Sequence, residues 1–259
     1  MPHADPGWPH CDDVLWWALA MLRAADMHSA RGGAAGHAEA AALTGRAAAI
    51  FDHVAGRAWN ATAAGCGGGI WWSTARSHKN AIANELFLTT AAQLGRTDPS
   101  CLAWAGRQWQ WFNRSGMINK DFLVNDGLDR CRNNNRATFT YNQGVLLLGL
   151  SRLHSAGGGA ELLILATNIV DAVLGKLTDT AGVLLEAGCG DAGVFKGVFV
   201  RCLRYTFSTR AARAWPRISL PGTKGSCGRK RIRFGATRRT WKVRLARGGA
   251  GGPCSRARP

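Results

Sequence analysis

The sequence lacks the features that mark a metal protein, a redox protein or a membrane protein. Its 8 cysteines never stand as C-x-x-C, the spacing of many zinc and redox sites. The longest apolar runs, such as ELLILA from Glu161, fall well short of the roughly 20 residues that a membrane-spanning helix needs. We therefore expect no metal, no cofactor and no membrane span.

Acidic residues are missing from the last part of the chain. The formal net charge is +17, yet residues 1–200 contain 16 Lys and Arg against 16 Asp and Glu, and the excess lies in residues 201–259, with 17 Lys and Arg and no acid. We interpret 1–207 as the globular domain and 208–259 as a disordered tail rich in Gly and Arg. The tail is either a basic arm for polyanions or a non-native end. We do not expect the domain itself to bind nucleic acid.

Apolar residues recur at helical spacing along most of the domain, and no convincing strand pattern is present. The clearest helix is the stretch GAELLILATNIVDAVLGKL, in which Leu162, Ala166, Ile169, Val170 and Val173 form one apolar stripe. The sequence predicts an all-α fold of about seven helices. They cover approximately residues 12–29, 37–58, 79–95, 99–115, 142–155, 159–177 and 193–207.

Three segments between these helices, 65–80, 116–144 and 186–197, combine glycine with aromatic, amide and acidic residues. Functional residues concentrate in loops on a rigid scaffold. The three segments follow one another at similar intervals, so we expect helical hairpins arranged around one cleft.

Asp12 and Asp13 stand side by side just before Trp16 and Trp17. One interpretation makes one of them the N-cap of the first helix and the other a favourable charge near the helix dipole. The alternative is a pair of carboxyl groups about 5 to 5.5 Å apart that flank a glycosidic bond. The tryptophans would then keep one carboxyl protonated as the acid, while its exposed neighbour stays ionised as the nucleophile.

A second set of candidate residues surrounds the tryptophan pair of GGGIWWSTARSHKN. Trp71 and Trp72 are either core aromatics or a platform for the apolar faces of a sugar. Lys79, Asn80 and Asn84 are expected on one face of the following helix. They are either a solvated helix start or the polar wall of a sugar-binding groove.

A third set lies in NDGLDRC and TYNQG. Asp126 precedes a glycine in a turn, and Tyr141, Asn142 and Gln143 open a helix with three hydrogen-bonding side chains. Helix capping would explain Asn142, but hardly all three.

The segment VLLEAGCGDAG (183–193) is similar to the glycine-rich first motif of S-adenosylmethionine-dependent methyltransferases. That motif requires a strand, a turn and a helix within an alternating β/α domain. The chain before it is helical, and the chain after it consists mostly of the basic tail. We reject a nucleotide-binding fold.

Together, these stretches resemble glycoside hydrolase family 76, the endo-α-1,6-mannanases and their fungal cell-wall relatives. The likeness is carried, in the family's order over residues 11–204, by DDVLWWALA, CGGGIWWSTARSHKNAIANELF, WAGRQWQWFNRSGMI, LVNDGLDRC, TYNQG and CGDAGVFKG. It implies an (α/α)6 toroid and a retaining mechanism, with Asp12 as nucleophile and Asp13 as general acid/base. It also implies that Lys196 is among the substrate-binding residues.

The chain differs from the family pattern at two positions and in extent. His78 replaces the usual tyrosine before Lys-Asn, and Phe139 replaces the tryptophan that many relatives have before Thr-Tyr-Asn. Relatives carry further helices on both sides, so we expect a partial toroid, truncated at both ends. We expect such a fragment to associate through exposed apolar faces, and a complete domain to be a monomer.

The resemblance implies a secreted or cell-wall endo-α-1,6-mannosidase that acts on mannan. Two N-x-[ST] sequons, at Asn60 and Asn113, fit a secreted protein, although no signal peptide is visible. Two alternatives remain: a transglycosylase that acts on the mannose core of GPI anchors, and a non-catalytic protein that binds mannan.

Overall fold

The computed structural model describes residues 10–186 and 190–208, and seven α-helices account for most of them. The predicted all-α class and the predicted number of helices are confirmed for this part of the chain. The largest difference is the start of the second helix, four residues before the expected position. The helices are α1 (Cys11–Arg31), α2 (Gly33–Ala58), α3 (Ala81–Leu94), α4 (Pro99–Arg114), α5 (Thr140–Ser155), α6 (Glu161–Lys176) and α7 (Ala192–Ser208).

A small hairpin that the sequence pattern did not predict lies between α4 and α5. Strand β1 (Leu128–Asp129) pairs antiparallel with β2 (Arg132–Asn133). The two residues between them have positive φ, as in the tight turns that join short antiparallel strands. Strands of two residues are too short to show an alternating pattern, which explains why they were missed.

The helices form hairpins around an inner row. Helices α1, α3, α5 and α7 pack each against the next, and α2, α4 and α6 pack behind α1, α3 and α5 respectively. This is the arrangement of part of an (α/α)6 toroid, so the predicted architecture is confirmed.

The inner helices run in the same direction. Late in α3, Gln93 donates a hydrogen bond to Asp26, which lies in the second half of α1. In the first turn of α5, Tyr141 stacks on Phe195 near the start of α7, and about one turn later a Cβ on Gly144 would meet Phe199. The N-terminal ends of these helices therefore lie at one end of the molecule.

Helix α3 lies at the centre of the described structure. All of its residues are buried, because α1 and α5 flank it, and α2 and α4 pack against it as well. Phe87 is fully buried there, stacked on Phe51 of α2 with ring centroids 4.7 Å apart and edge-on to Trp104 of α4. Residues from three helices thus share one aromatic cluster.

Several large apolar side chains are exposed. Trp17 of α1, Ile164 of α6 and Val194 of α7 are 58%, 57% and 64% exposed. The expected tendency to associate remains a prediction. None of the described helices is long and apolar enough to cross a membrane. Beyond Ser208, the basic tail lies outside the described residues.

Phe87→Ala should lower the free energy of unfolding by about 3–5 kcal/mol, because it removes a large side chain from a fully packed cluster. Urea denaturation followed by circular dichroism measures the change. Ile164→Ala is the matched control, and its effect should be much smaller because Ile164 is mostly exposed. Equal losses in the two variants would contradict the placement of α3 at the centre of the core.

Candidate active site

The candidate site lies where the N-terminal ends of the inner helices meet. Asp12 and Asp13 occupy the first turn of α1, Asn80 is the N-cap of α3, and Tyr141 is in the first turn of α5. The Tyr141 ring stacks on Phe195 of α7, with centroids 3.9 Å apart. The free N–H groups of helix starts favour negative charge, so this end of the molecule suits carboxylates.

Neither aspartate caps α1. The N-cap is His10, which makes no side-chain capping bond, so the prediction that one of them is the N-cap is wrong. Both lie in the first turn, where the helix dipole favours negative charge, as the same interpretation expected. Asp12 is half-buried, and its Oδ1 is buried without a hydrogen-bond partner. The Asp13 side chain is 70% exposed, and its Oδ2 lies 3.7 Å from Nδ1 of His10. The two neighbouring carboxyl groups therefore have different surroundings.

Burial raises the pKa of Asp12, and the negative charge of Asp13 raises it further. The α1 backbone, His10 and the Trp72 side chain oppose this shift because they favour the ionised form. The His10 ring stacks on Trp72 with centroids 4.3 Å apart. An aromatic side chain, Trp72, thus adjoins the half-buried aspartate. Of the two tryptophans expected there, Trp16 and Trp17, the second is largely exposed.

The surroundings of the pair and the family resemblance point to opposite roles. The burial rule would keep the proton on the buried carboxyl, which is Asp12, and make exposed Asp13 the nucleophile. The resemblance makes Asp12 the nucleophile. Substrates whose leaving group needs no proton can separate the two assignments, because they depend on the nucleophile alone for the first step.

Lys79 is turned into the protein. Only 2% of its surface is exposed, and its Nζ donates to the carbonyl oxygens of Gly65, Gly68, Gly69 and Asn60, the last two at 3.0 and 3.3 Å. Burial lowers its pKa to about 8, so the side chain is still an ammonium ion at neutral pH. Its donors are therefore used to hold the glycine-rich segment.

Two tryptophans enclose this ammonium group. Nζ of Lys79 lies 4.6 Å from the ring centre of Trp71 and 5.4 Å from that of Trp111, within cation–π distance. The Trp111 indole also donates to the carbonyl oxygen of Cys66, at 2.9 Å. Gly69 has a φ of +76°, and a Cβ there would collide with the Trp111 ring, so only glycine fits.

Asn80 and Asn84 also bond within the protein. Helix α3 begins at Ala81, so Asn80 precedes it and caps it by accepting from the Ala83 amide at 3.3 Å. Asn84 bonds both backbone groups of Ile70, accepting at 2.8 Å and donating at 3.1 Å. The expectation that Lys79, Asn80 and Asn84 share one helix face is wrong, because the helix starts after the first two.

A disulfide between Cys66 and Cys131 joins the two site loops. The sequence left the cysteine pairing open. The loops also meet through the backbone, since the Ala81 amide donates to the Asp126 carbonyl at 2.7 Å. The segments 65–80 and 116–144 thus form one connected structure.

Tyr141 lies near carboxyl groups from several parts of the chain. Burial raises its pKa, and the negative charges of Asp126, Glu85, Asp12 and Glu186 raise it further, in that order. The phenol therefore lies within electrostatic reach of four carboxyl groups from separate parts of the chain. The structure brings together Asp12, Asp126 and Tyr141, as expected for a single cleft.

Opposing effects act on the pKa of Asp126. Burial raises its pKa, and the nearby side chains of His78 and Arg136 partly offset this effect. His78, which differs from the family pattern, thus lies within electrostatic reach of Asp126.

Three predicted residues remain: Gln143, Asn142 and Lys196. The Gln143 side chain accepts a hydrogen bond from the Val124 amide at 2.8 Å and donates one to the Val124 carbonyl at 2.9 Å. It thereby holds the 116–144 segment in place. Asn142 is fully buried, and neither of its amide atoms has a hydrogen-bond partner. Lys196 is half-buried and follows Phe195 near the start of α7.

A surface depression of about 500 Å³ lies beside the site loops. Its lining is mostly amide and charged side chains and does not include the aspartate pair. The lining residues are Gly116, Ile118, Asn119, Lys120, Asp121, Asn125, Asn133 and Asn135. Within the described ranges, no group of three or more His, Cys, Asp and Glu side chains is placed to hold a metal ion.

Sequence reasoning missed His10, Glu85 and the Cys66–Cys131 pair. The only signal for Glu85 was an acidic residue inside the apolar stretch NELFL. No signal marked His10, because its role depends on stacking against a residue that is distant in the sequence.

Lys79→Met should lower the free energy of unfolding by roughly 3 kcal/mol, because the buried carbonyl oxygens of the glycine-rich segment lose a charged donor. Thermal or urea unfolding measures the loss. Lys120→Met, at an exposed lysine, is the control and should change stability little. An unchanged stability in Lys79→Met would show that these carbonyls do not depend on the ammonium group.

The chain is similar to known mannan-processing enzymes. It is 26% identical over 242 residues to a mannan endo-1,6-alpha-mannosidase of Candida albicans, a match that covers 83% of this chain and 52% of that protein. The chain thus spans about half the length of this curated relative. Among solved structures, an α-1,6-mannanase of a Salegentibacter species is 26% identical with a TM-score of 0.64, over 78% of this chain and 58% of that one.

A second structure of the Salegentibacter enzyme is an inactive variant in which two adjacent aspartates are replaced by asparagine, in complex with α-1,6-mannotriose. It has 25% identity and a TM-score of 0.65, over 78% of this chain and 58% of that one. The model of glycosyl hydrolase family 76 matches residues 1–215. This chain therefore belongs to glycosyl hydrolase family 76.

Proposed function

We propose that the protein is an endo-acting, retaining α-1,6-mannosidase that cleaves α-1,6-mannan. The observation that carries this proposal is the pair of adjacent carboxyl groups, Asp12 and Asp13, at the start of an inner helix and on the same side as Asp126 and Tyr141. The adjacent aspartates replaced in the inactive Salegentibacter variant, which holds α-1,6-mannotriose, support the same role for this pair.

In the proposed reaction, Asp13 donates its proton to the glycosidic oxygen while an Asp12 oxygen attacks the anomeric carbon. The glycosidic C–O bond breaks, and a glycosyl ester forms on Asp12. Asp13, now ionised, then removes a proton from water, which attacks the same carbon and releases Asp12. The partly positive sugar ring in each transition state is stabilised by the negative charges that gather at this end of the helices.

The sugar contacts that we propose come from Trp71, Trp72, Asp126, Tyr141 and Lys196. Trp72 adjoins Asp12, and Tyr141 stacks on Phe195, so both rings are in place to meet the apolar face of a sugar. Lys79, Asn80, Asn84 and Gln143 act differently. Their bonds to backbone groups hold the loops that present these contacts.

We also propose that the protein works outside the cytosol. The Cys66–Cys131 disulfide supports this location, because disulfides persist mainly in oxidising compartments.

Asp12→Asn and Asp13→Asn should each abolish cleavage of α-1,6-mannan, measured by the release of reducing ends and the fall in polymer length. Aryl mannosides with an acidic leaving group separate the two roles. Asp13→Asn should still form the glycosyl ester from such substrates, because their leaving group needs no proton, whereas Asp12→Asn should not. The reverse result would exchange the two roles.

The same assay tests the function itself. The unsubstituted protein should shorten the polymer in the presence of excess acceptor sugars. Polymer that is retained but not shortened would make the protein a mannan binder, and transfer of the polymer to the acceptor would make it a transglycosylase. His28→Asn is a matched control on the same helix, about four turns from the pair, and should leave cleavage unchanged.

Trp72→Phe should move the acid limb of the kcat/KM profile to higher pH. Trp72 favours ionised Asp12, so its loss raises the pKa of the nucleophile further, and more alkaline solution is then needed to ionise Asp12. Trp17→Phe, at an exposed indole on the same helix as Asp12, should leave the limb in place. An acid limb that is identical in the unsubstituted protein and Trp72→Phe would contradict the proposed contact with Asp12.

A further inference from the structure

Two buried polar side chains near the site have no bonding partner. Glu85 of α3 and Asn142 of α5 are both 0% exposed, and the two carboxyl oxygens and two amide atoms lack hydrogen bonds. A buried polar group without a partner costs roughly 1–3 kcal/mol. Two such residues within one protein core therefore require an explanation.

The register of α3 against α5 brings these side chains together. Thr89 of α3 donates to the carbonyl oxygen of Val145 on α5, at 3.3 Å. A Cβ on Gly149 would also lie 2.9 Å from the Thr89 hydroxyl. The two helices are parallel, so one turn earlier on each places Glu85 beside the first turn of α5, where Asn142 lies.

Glu85 has an acidic neighbour, Asp126. Burial raises the pKa of Glu85, and the negative charge of Asp126 in the site loop raises it further. Glu85 in turn raises the pKa values of Tyr141 on α5 and Cys202 on α7. Within the described part of the chain, no cation forms an ion pair with Glu85. A carboxylate would be very unfavourable in such surroundings, which favour the neutral acid with its one O–H donor.

Its position makes this neutral group relevant to the site. Glu85 is within electrostatic reach of Tyr141, and the negative charge of Asp126 disfavours ionisation of Glu85. Ionisation of Glu85 would add a negative charge close to Asp126 and Tyr141. A neutral carboxyl can instead fill the space and donate a hydrogen bond.

We propose that Glu85 is a positioning residue of the site, a neutral carboxyl that packs opposite Asn142 at the α3–α5 interface and supports the positions of Tyr141 and Asp126. This inference rests on the proposed mannosidase function for its catalytic consequence. Its structural part, the neutral buried acid, is independent of the substrate.

The test compares Glu85→Gln, Glu85→Leu and the control Thr90→Val. Thr90 is also fully buried on α3 with an unpartnered hydroxyl, but it lies more than one turn further from the site. Glu85→Gln keeps a neutral donor and acceptor, so its kcat/KM on α-1,6-mannan should stay within about threefold of the unsubstituted protein. Glu85→Leu should lose roughly tenfold or more in kcat/KM, and Thr90→Val should not.

The pH dependence of the melting temperature provides a second readout. An unfolded Glu ionises above about pH 4.3, while buried Glu85 keeps its proton, so the unsubstituted protein loses stability as the pH rises above that value. Glu85→Gln has no such group. Its melting temperature minus that of the unsubstituted protein should therefore increase from pH 4 to pH 7.

Two results would overturn the proposal. One is a folded Glu85→Leu variant with unchanged kcat/KM and pH profile. The other is a melting-temperature difference for Glu85→Gln that is the same at pH 4 and pH 7. If the unsubstituted protein cleaves no α-1,6-mannan, the proposed function fails, and the melting temperatures still decide whether Glu85 is a neutral acid.

Discussion

The common direction of the inner helices is the constraint on which the site depends. Since α1, α3, α5 and α7 are parallel, their free N–H groups collect at one end of the molecule and favour negative charge there. Asp12, Asp13, Asp126 and Tyr141 all lie at this end. A helix reversed in the row would present carbonyl groups instead, which repel carboxylates. The aspartate pair therefore depends on packing contacts that lie far from it.

The loops at this end of the helices, 65–80 and 116–144, are held in place by two kinds of interaction. The Lys79 ammonium gathers carbonyl oxygens of the glycine-rich segment between the rings of Trp71 and Trp111, and the Cys66–Cys131 disulfide connects that segment to the next loop. An ammonium group suits this task because it can serve several carbonyls at once without a fixed plane. Trp72 belongs to the same segment, so these interactions also position it beside Asp12.

The sequence predicted the helices better than the functions of polar residues. Apolar spacing identifies a helix wherever a core face must be buried, and this held even for α3, whose buried surface includes Glu85 and Asn84. Residue type does not reveal a partner, however. Asn84 and Gln143 have the chemistry of sugar ligands, yet their amides bond to backbone groups. The resemblance to a family located the aspartate pair, while its unequal burial depends on contacts between distant segments.

That unequal burial can be reconciled with a nucleophilic Asp12. A half-buried carboxylate is poorly hydrated, so a sugar with developing positive charge gains more from Asp12 than from an exposed group. The exposed Asp13 has the opposite advantage, because the water whose proton it removes in the second step can reach it, and His10 lies 3.7 Å away. The raised pKa of Asp12 in the empty site then limits activity only in acidic solution, where Asp12 binds a proton before a substrate arrives. On these grounds we propose the more buried carboxyl, Asp12, as the nucleophile.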